Sequence, residues 1–262
     1  MNSLEVRSAY DRQIRQRLSL HQPGELVERS DSVVRVLAED GWNAVLWSEL
    51  DPISADEVIA EQVDRFGRLG APWEWKHYSY DLPDDLPDDL PARLVAAGLT
   101  AEPTEALMVV ELAELALSPA VPDGVVIVPV VDAADVAALV GLHDEVFGGD
   151  HAAVGRALAA QLRADPPAGG AALAVVDGVA VSAGRVEFAR GTDFASIWGG
   201  GTLPAWRGRG LFRALVAHRA RLATFEGFRY LQVDATADSR PILARLGFVE
   251  LATTTPFVHS GR

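Results

Sequence analysis

The sequence predicts a mixed α/β protein whose sheet contains both parallel and antiparallel strands. Three observations carry this. Continuous β-branched runs, such as VVIVPVV at 125–131, alternate with segments of helical period. Two of the runs meet at Asp177-Gly178, a hairpin dipeptide, so some neighbours must be antiparallel. Other runs are separated by a whole amphipathic helix, the connection a parallel pair requires.

The elements follow in chain order. Leu26–Glu39 reads as helical. NAVLWSEL (43–50) is a strand. Ser54–Leu69 is a helix, with Ser54 and Glu57 at the spacing of a capping box. WEWKHYSYD (73–81) alternates, is rich in aromatics and reads as a strand. Arg93–Ala97 closes a helix at Gly98, and ALMVVEL (106–112) is a strand. LSPAVPDG (117–124) gathers two prolines, a serine and a glycine, and reads as a linker. The expected division is therefore into domains 1–122 and 123–262.

The second half is more regular. After the strand at 125–131, Asp132 caps a helix that runs to Phe147 with Val136, Leu139, Val140 and Val146 on one stripe. His151–Ala164 is a second helix, stopped by Pro166-Pro167. The hairpin through Asp177-Gly178 and the strand FASIWGG follow. Arg209–Glu226 is a helix with Leu211, Leu215, Val216 and Leu222 inward. FRYLQVDA is a strand, Ser239–Leu246 a short helix ending at Gly247, and FVELATTTPFV closing strand material.

Composition bounds the function. The 262 residues are 49% hydrophobic, enough for a proper core. There is no cysteine, which excludes disulfides, thiolate catalysis and cysteine metal sites. No apolar run reaches the length of a membrane span, and the first residues are polar, so a soluble cytoplasmic protein without a membrane partner is expected. The net charge of −14 argues against nucleic-acid binding. The charge is uneven: residues 1–122 carry 10 basic against 23 acidic side chains, residues 123–262 carry 13 against 14. Trp42, Trp47, Trp73 and Trp75 give the first half an aromatic character, read as packed core.

The two halves end alike. Aligning Gly247 with Gly98 brings Leu243 onto Leu94. Aligning the preceding strands brings Asp234 onto Asp81, four residues out of register, and the first half holds a duplicated LPDD tetrad. Each segment reads strand, acidic turn, short helix, glycine, strand. This is either chance similarity between two α/β segments or a repeat.

The stretch GGGTLPAWRGRGLFRALV (199–216) bears the chemistry. A glycine-rich turn enters a helix directly after a strand, and helix N-termini offer unpaired N–H groups to phosphates. Gly208 and Gly210 remove Cβ bulk where backbone meets anion. Arg207, Arg209 and Arg213 add positive charge. The Lys-Ser/Thr pair of a P-loop and the third glycine of a dinucleotide fingerprint are both missing. On pattern alone the loop is either a helix-start turn with solvated arginines or an anion cradle.

TLPAWRGRGLFRALV, followed by YLQVDA and PILARLGFVEL, resembles the acyl-CoA-binding half of the GNAT acetyltransferase superfamily. Arg207-Gly208-Arg209-Gly210 match that family's loop, Leu246-Gly247-Phe248 match its ending, and the element order from Val125 to Val258 matches its domain. With the repeat, residues 1–122 resemble a degenerate copy lacking the glycine-rich loop. The resemblance implies an acyl-CoA N-acyltransferase fold and acetyl-CoA as co-substrate. It places the pyrophosphate on Arg207, Gly208, Arg209, Gly210, Leu211 and Phe212, with Arg213 nearby. The pantetheine would run beside Gly201, Thr202 and Leu203, and the acyl carbonyl would lie near the end of the SIWGGG strand. Thr236 and Ser239 would complete the cofactor site.

An amine, on a small molecule or a peptide, would attack the acyl group directly with a base to remove its proton. Glu187 is the first candidate base, with Asp193 and Glu145 behind it; His143 and His151 would wall the acceptor site. Two departures from the family stand out. The last small position of the loop is Phe212. Leu243 stands where many members place a tyrosine acid, so Thr236, Ser239 or water would protonate the thiolate, or it leaves unprotonated. The six histidines show no metal-ligand spacing, so no metal is expected. The alternative function is a CoA-binding sensor without turnover. Either monomer or homodimer is compatible with the sequence.

Overall fold

A computed structural model describes residues 1–16, 23–38, 41–81, 89–115 and 121–261. The LPDD tetrads and the first part of the linker fall almost wholly outside them. The chain divides into two compact units: one holds residues 2–108, 234–240 and 250–262, the other Met1, 109–233 and 241–249. Residue 122 lies inside the second of these. No described helix is long and apolar enough to cross a membrane.

The unit built on residues 2–108 begins with helix α1 (Ser3–Tyr10), which passes into a π-helical turn at Asp11–Gln16. Strands β1 (Leu26–Arg29), β2 (Val33–Leu37) and β3 (Ala44–Ser48) follow, then α2 (Ala55–Gly67), β4 (Trp73–Tyr78), α3 (Leu90–Ala96) and β5 (Thr100–Ala101). β6 (Glu105–Glu111) contains the unit boundary. The other unit continues with β7 (Val126–Pro129), α4 (Ala133–Phe147), α5 (Ala152–Arg163), β8 (Gly169–Val176), β9 (Val179–Phe188) and β10 (Phe194–Thr202). It then runs through α6 (Leu211–Phe225), β11 (Tyr230–Ala235), α7 (Arg240–Arg245) and β12 (Val249–His259). All but the first residue of β12 returns to the first unit, where it pairs antiparallel with β4.

Strand pairing is mixed within each unit. In the first unit the order is β1-β2-β3-β4-β12; β3 and β4 are parallel at Ala44↔Glu74 and Val45↔Trp75. In the second it is β11-β10-β9-β8-β7, antiparallel except for the parallel pair β10–β11. The hairpin forms at Asp177 (φ 49) and Gly178 (φ 81), as its dipeptide requires. Asp132 caps α4, its carboxylate accepting from the Ala134 and Asp135 N–H groups.

Two expectations need correction. Leu26–Glu39 is not a helix over its described part: it is the antiparallel hairpin β1–β2. Ser30 turns the chain, its hydroxyl accepting from Val33 N–H at 3.2 Å, and Val33, Val34 and Val36 bury on both faces. The capping box at Ser54 does not form. Ser54 is already in the αR region (ψ −7) and its side chain makes no cap bond. Asp51 O accepts the Ser54 and Ala55 N–H groups instead.

The first core packs α2 and α3 onto the sheet through Ile59, Phe66, Trp73, Trp75, Leu94 and Phe257. Phe66 stacks on Trp73 at 4.4 Å between centroids. The two segments that read alike close alike. Gly98 (φ 94) and Gly247 (φ 97) both follow a short helix. In each, the next residue's N–H reaches back five residues, Leu99 to Leu94 O and Phe248 to Leu243 O, both at 3.1 Å.

The N-terminal helix was not anticipated, and the π-helical turn that follows it carries a buried arginine, Arg15. Arg15 is 2% exposed. It bonds Asp81 through both carboxylate oxygens at 2.8 Å, Asp11 at 2.8 Å and Leu46 O at 2.9 Å. Its guanidinium lies 3.9 Å over the Tyr78 ring. Burial works against its charge, but Asp81, Tyr78, Tyr80 and Asp11 together outweigh it and hold the guanidinium protonated. Removing it strands a carboxylate whose side chain is 5% exposed. Arg15→Met is therefore expected to lower stability by about 3 kcal/mol in urea unfolding, and Arg15→Met/Asp81→Asn by less than the single change.

Candidate functional site

The site grows from the way β10 leaves β11. The two strands pair at Phe194↔Tyr230, Ala195↔Leu231 and Ser196↔Gln232, and then stop, although β10 runs on to Thr202. On its other edge β10 stays with β9 but slips: Trp198 faces Arg185 and Gly201 faces Ala183, three residues against two. The extra residue is a bulge made of Gly199, Gly200 and Gly201.

The triplet is glycine because helices press on the strand at each position. A Cβ on Gly199 (φ 58) would lie 2.7 Å from the His143 ring, one on Gly200 2.7 Å from Phe212, and one on Gly201 3.1 Å from Phe147. Phe212, the departure from the loop pattern, thus packs its ring against the bulge.

Side chains also hold the bulge's carbonyl groups. Trp198 O accepts from Arg219 Nη1 at 3.3 Å, Gly199 O from His143 Nε2 at 3.0 Å, and Gly201 O from the Ser182 hydroxyl at 2.7 Å. A carbonyl only accepts, so His143 must carry its proton on Nε2. His143 is 2% exposed, and burial, with Arg185 adding to it, pushes its pKa down to about 4. Arg219 is 1% exposed and donates also to Leu215 O and Arg185 O. Burial, reinforced by Arg185, lowers its pKa to about 9. No carboxylate among the described residues pairs with it. None of these three roles is visible in the sequence, because His143, Ser182 and Arg219 sit on three different elements.

Beyond β10 the chain makes a 3-10 turn at Pro204–Trp206 and then the Arg-Gly-Arg-Gly loop. Gly208 (φ 75) and Gly210 (φ 88) both need the left-handed region. Gly210 is the N-cap of α6 and offers no side-chain cap, so the Leu211, Phe212 and Arg213 N–H groups have no capping partner. There is no acid in the first turn. Arg207, Arg209 and Arg213 are exposed, and none pairs with a carboxylate among the described residues. Arg207 Nε donates to Thr202 O at 3.1 Å, and Arg209 lies 4.6 Å over Trp206. Leu203 N–H is bound to Val181 O on β9, and the Thr202 hydroxyl meets that of Ser182 at 2.7 Å. This arrangement can hold a phosphorylated ligand with backbone donors, a positive helix end and three arginines.

Glu187, on β9 opposite Ser196, accepts from Arg185 at 3.1 Å and from Gln161 at 3.2 Å. Glu145 is exposed on α4, and Asp193 uses its backbone carbonyl to hold Arg229 and Tyr230. Leu243 is fully buried. Thr236 and Ser239 belong to the other compact unit, where they bond to each other at the turn into α7.

Residues 137–248 match the model of the acetyltransferase (GNAT) family. The match spans less than half of the chain and includes the bulge, the loop and α6. No curated protein matches the sequence. Among solved structures, a GCN5-related N-acetyltransferase from Kribbella flavida is similar with a TM-score of 0.70 at 22% identity, over 99% of this chain and 96% of that one. A functionally unknown conserved protein from Staphylococcus epidermidis is similar with a TM-score of 0.67 at 16% identity, over 92% and 96%. A tandem GNAT protein from the clavulanic acid biosynthesis pathway reaches 0.59 at 16% identity, over 94% and 86%. These likenesses establish the acyl-CoA N-acyltransferase fold.

The His143 environment sets a pH dependence. The unfolded chain binds a proton there near pH 6.5, the folded one only near pH 4. Between those values the unfolded state holds more protons, so this site lowers stability as pH falls through the window and has no effect above it. An NMR titration of the His143 ring is expected to show a midpoint near 4, and Arg185→Leu to raise it.

Proposed function

We propose that this protein transfers an acyl group from acetyl-CoA to an amine. The observation that carries the reading is the coincidence, in one compact unit, of an opened parallel strand pair and an uncapped, acid-free helix N-terminus a few residues further along the same strand. An anion at the α6 N-terminus puts the rest of a linear ligand beside the strand edge that β11 has left. The family match over the same residues supports acyl-CoA as that ligand.

In this reading the Leu211, Phe212 and Arg213 N–H groups hold the pyrophosphate, and Arg207, Arg209 and Arg213 neutralise it. Gly208 and Gly210 let the backbone come close. Pantetheine lies along Gly201, Thr202 and Leu203. The thioester carbonyl meets the bulge, whose own carbonyl oxygens are already engaged by Arg219, His143 and Ser182, so N–H groups face the developing oxyanion. The acceptor amine then attacks the carbonyl carbon and CoA departs as its thiolate, since Leu243 has no proton to give.

The unit holding residues 2–108 serves as scaffold. Its helix α2 opens with Asp56 and Glu57, which repel phosphate. Where β3 parts from β4, Leu46 O is taken by Arg15. These features support reading residues 1–122 as a degenerate copy of the same fold. The acidic surface favours a cationic acceptor such as a polyamine, an aminoglycoside or a basic peptide.

The second reading, a CoA-binding module without turnover, is favoured by one observation: the buried Leu243. Thiol release with spermidine, kanamycin or a lysine peptide separates the two. For the cofactor itself, calorimetry is expected to show one acetyl-CoA per chain. Gly210→Glu, which sets a carboxylate and a strained left-handed residue at the cradle, should weaken binding by at least about 100-fold, or about 2.7 kcal/mol. Wild-type protein that binds no acetyl-CoA would refute the function.

A further inference from the structure

An acceptor amine is protonated at neutral pH and must lose a proton before it can attack. Glu187, the carboxylate expected for this task, is already bonded by Arg185 and Gln161. His143 is buried, and its Nε2 proton is committed to Gly199 O. A different pair of residues beside the bulge has the geometry of a base.

Helix α4 ends at Phe147, and Gly148 (φ 74) and Gly149 (φ 83) turn the chain back on itself. The reversal brings His151 onto Asp144, one turn before the end of α4. Asp144 Oδ1 accepts from the His151 backbone N–H at 2.8 Å and from His151 Nδ1 at 2.9 Å. These two bonds hold the Asp144 carboxyl below its ordinary range. An ionised carboxylate can only accept, so the proton of neutral His151 sits on Nδ1 and the lone pair on Nε2. No described protein group bonds Nε2. The side chain is 23% exposed, open to a small molecule where His143 is not.

The ring lies one contact layer from the bulge. Its centroid is 5.6 Å from that of His143, which holds Gly199 O, and 6.0 Å from that of Phe147, whose ring packs on Gly201. All of these residues belong to one compact unit.

We infer that His151, oriented by Asp144, is the base that takes the proton from the acceptor ammonium; the inference rests on the acyltransferase reading above. The ammonium proton passes to Nε2. The freed nitrogen forms the C–N bond to the thioester carbon. The C–S bond breaks and its electron pair leaves on the CoA sulfur. The proton that nitrogen sheds on becoming an amide goes to that thiolate, and His151 returns its own to solvent. Asp144 is a positioning residue that fixes the tautomer.

The test measures thiol release from acetyl-CoA with spermidine, kanamycin and a lysine peptide, alongside acetyl-CoA affinity by calorimetry. His151→Gln should lower kcat by about 100-fold while acetyl-CoA binding stays within threefold of wild type. Asp144→Asn should lower kcat by about 10-fold. Free imidazole should restore part of the activity of His151→Ala, which a merely structural histidine would not allow. If His151→Gln keeps wild-type kcat, or the loss falls on Glu187→Gln instead, the assignment to His151 is overturned and the transferase stands. If wild-type protein binds acetyl-CoA but acylates none of the amines, the transferase reading is overturned and this assignment with it.

Discussion

A parallel strand pair that opens leaves backbone N–H and C=O groups without partners, and buried polar groups of that kind must be answered. The protein meets this constraint in two ways. Where β3 leaves β4, the chain's own Arg15 comes in and bonds Leu46 O. Where β10 leaves β11, the chain adds a residue to the strand and holds the resulting carbonyls with Arg219, His143 and Ser182. The first answer meets the freed carbonyl with a guanidinium. The second satisfies the acceptors of the bulge with side-chain donors from three different elements.

The second answer has an electrostatic consequence. Arg219 and His143 lie on different helices, both nearly inaccessible to solvent, and both have the charged form disfavoured by burial. Arg219 keeps its charge near neutral pH, where its pKa of about 9 leaves it protonated, while His143 does not. A cation is thus fixed beneath a bulge whose carbonyls point to protein donors. In the proposed acyl transfer, little reorganisation would be needed as negative charge develops nearby. The helix ends repeat the contrast: α6 opens without an acid, α2 with two.

Much of the second half was legible because its signals are local. The Asp132 cap, the Asp177-Gly178 hairpin and the glycines of the α6 loop each state a backbone geometry within a few residues. The failures are where partners decide. Leu26–Glu39 carries apolar residues that fit a helix or two short strands, and pairing of β1 with β2 across Ser30 chose the strands. Ser54 and Glu57 have capping-box spacing, but a turn at Asp51 already holds the orphan N–H groups. The N-terminal helix is placed by distant partners: Val6, Tyr10 and Ile14 are buried, Tyr10 meets Tyr78, and Arg15 meets Asp81, 66 residues away in sequence.

By itself the sequence determined the mixed α/β class, the order of elements from residue 125 to α7, and the glycine-rich entry into α6 with its three arginines. Those follow from hydrophobic period, turn chemistry and a helix end, all short-range. Only the tertiary structure decided that the glycine triplet is a bulge pressed from both faces. It also decided that His143, Ser182 and Arg219 hold that bulge's carbonyls, and that two glycines fold His151 back onto Asp144. The physical reason is the same in each case. A hydrogen bond between side chain and backbone depends on which elements lie side by side, and spacing along the chain does not record that.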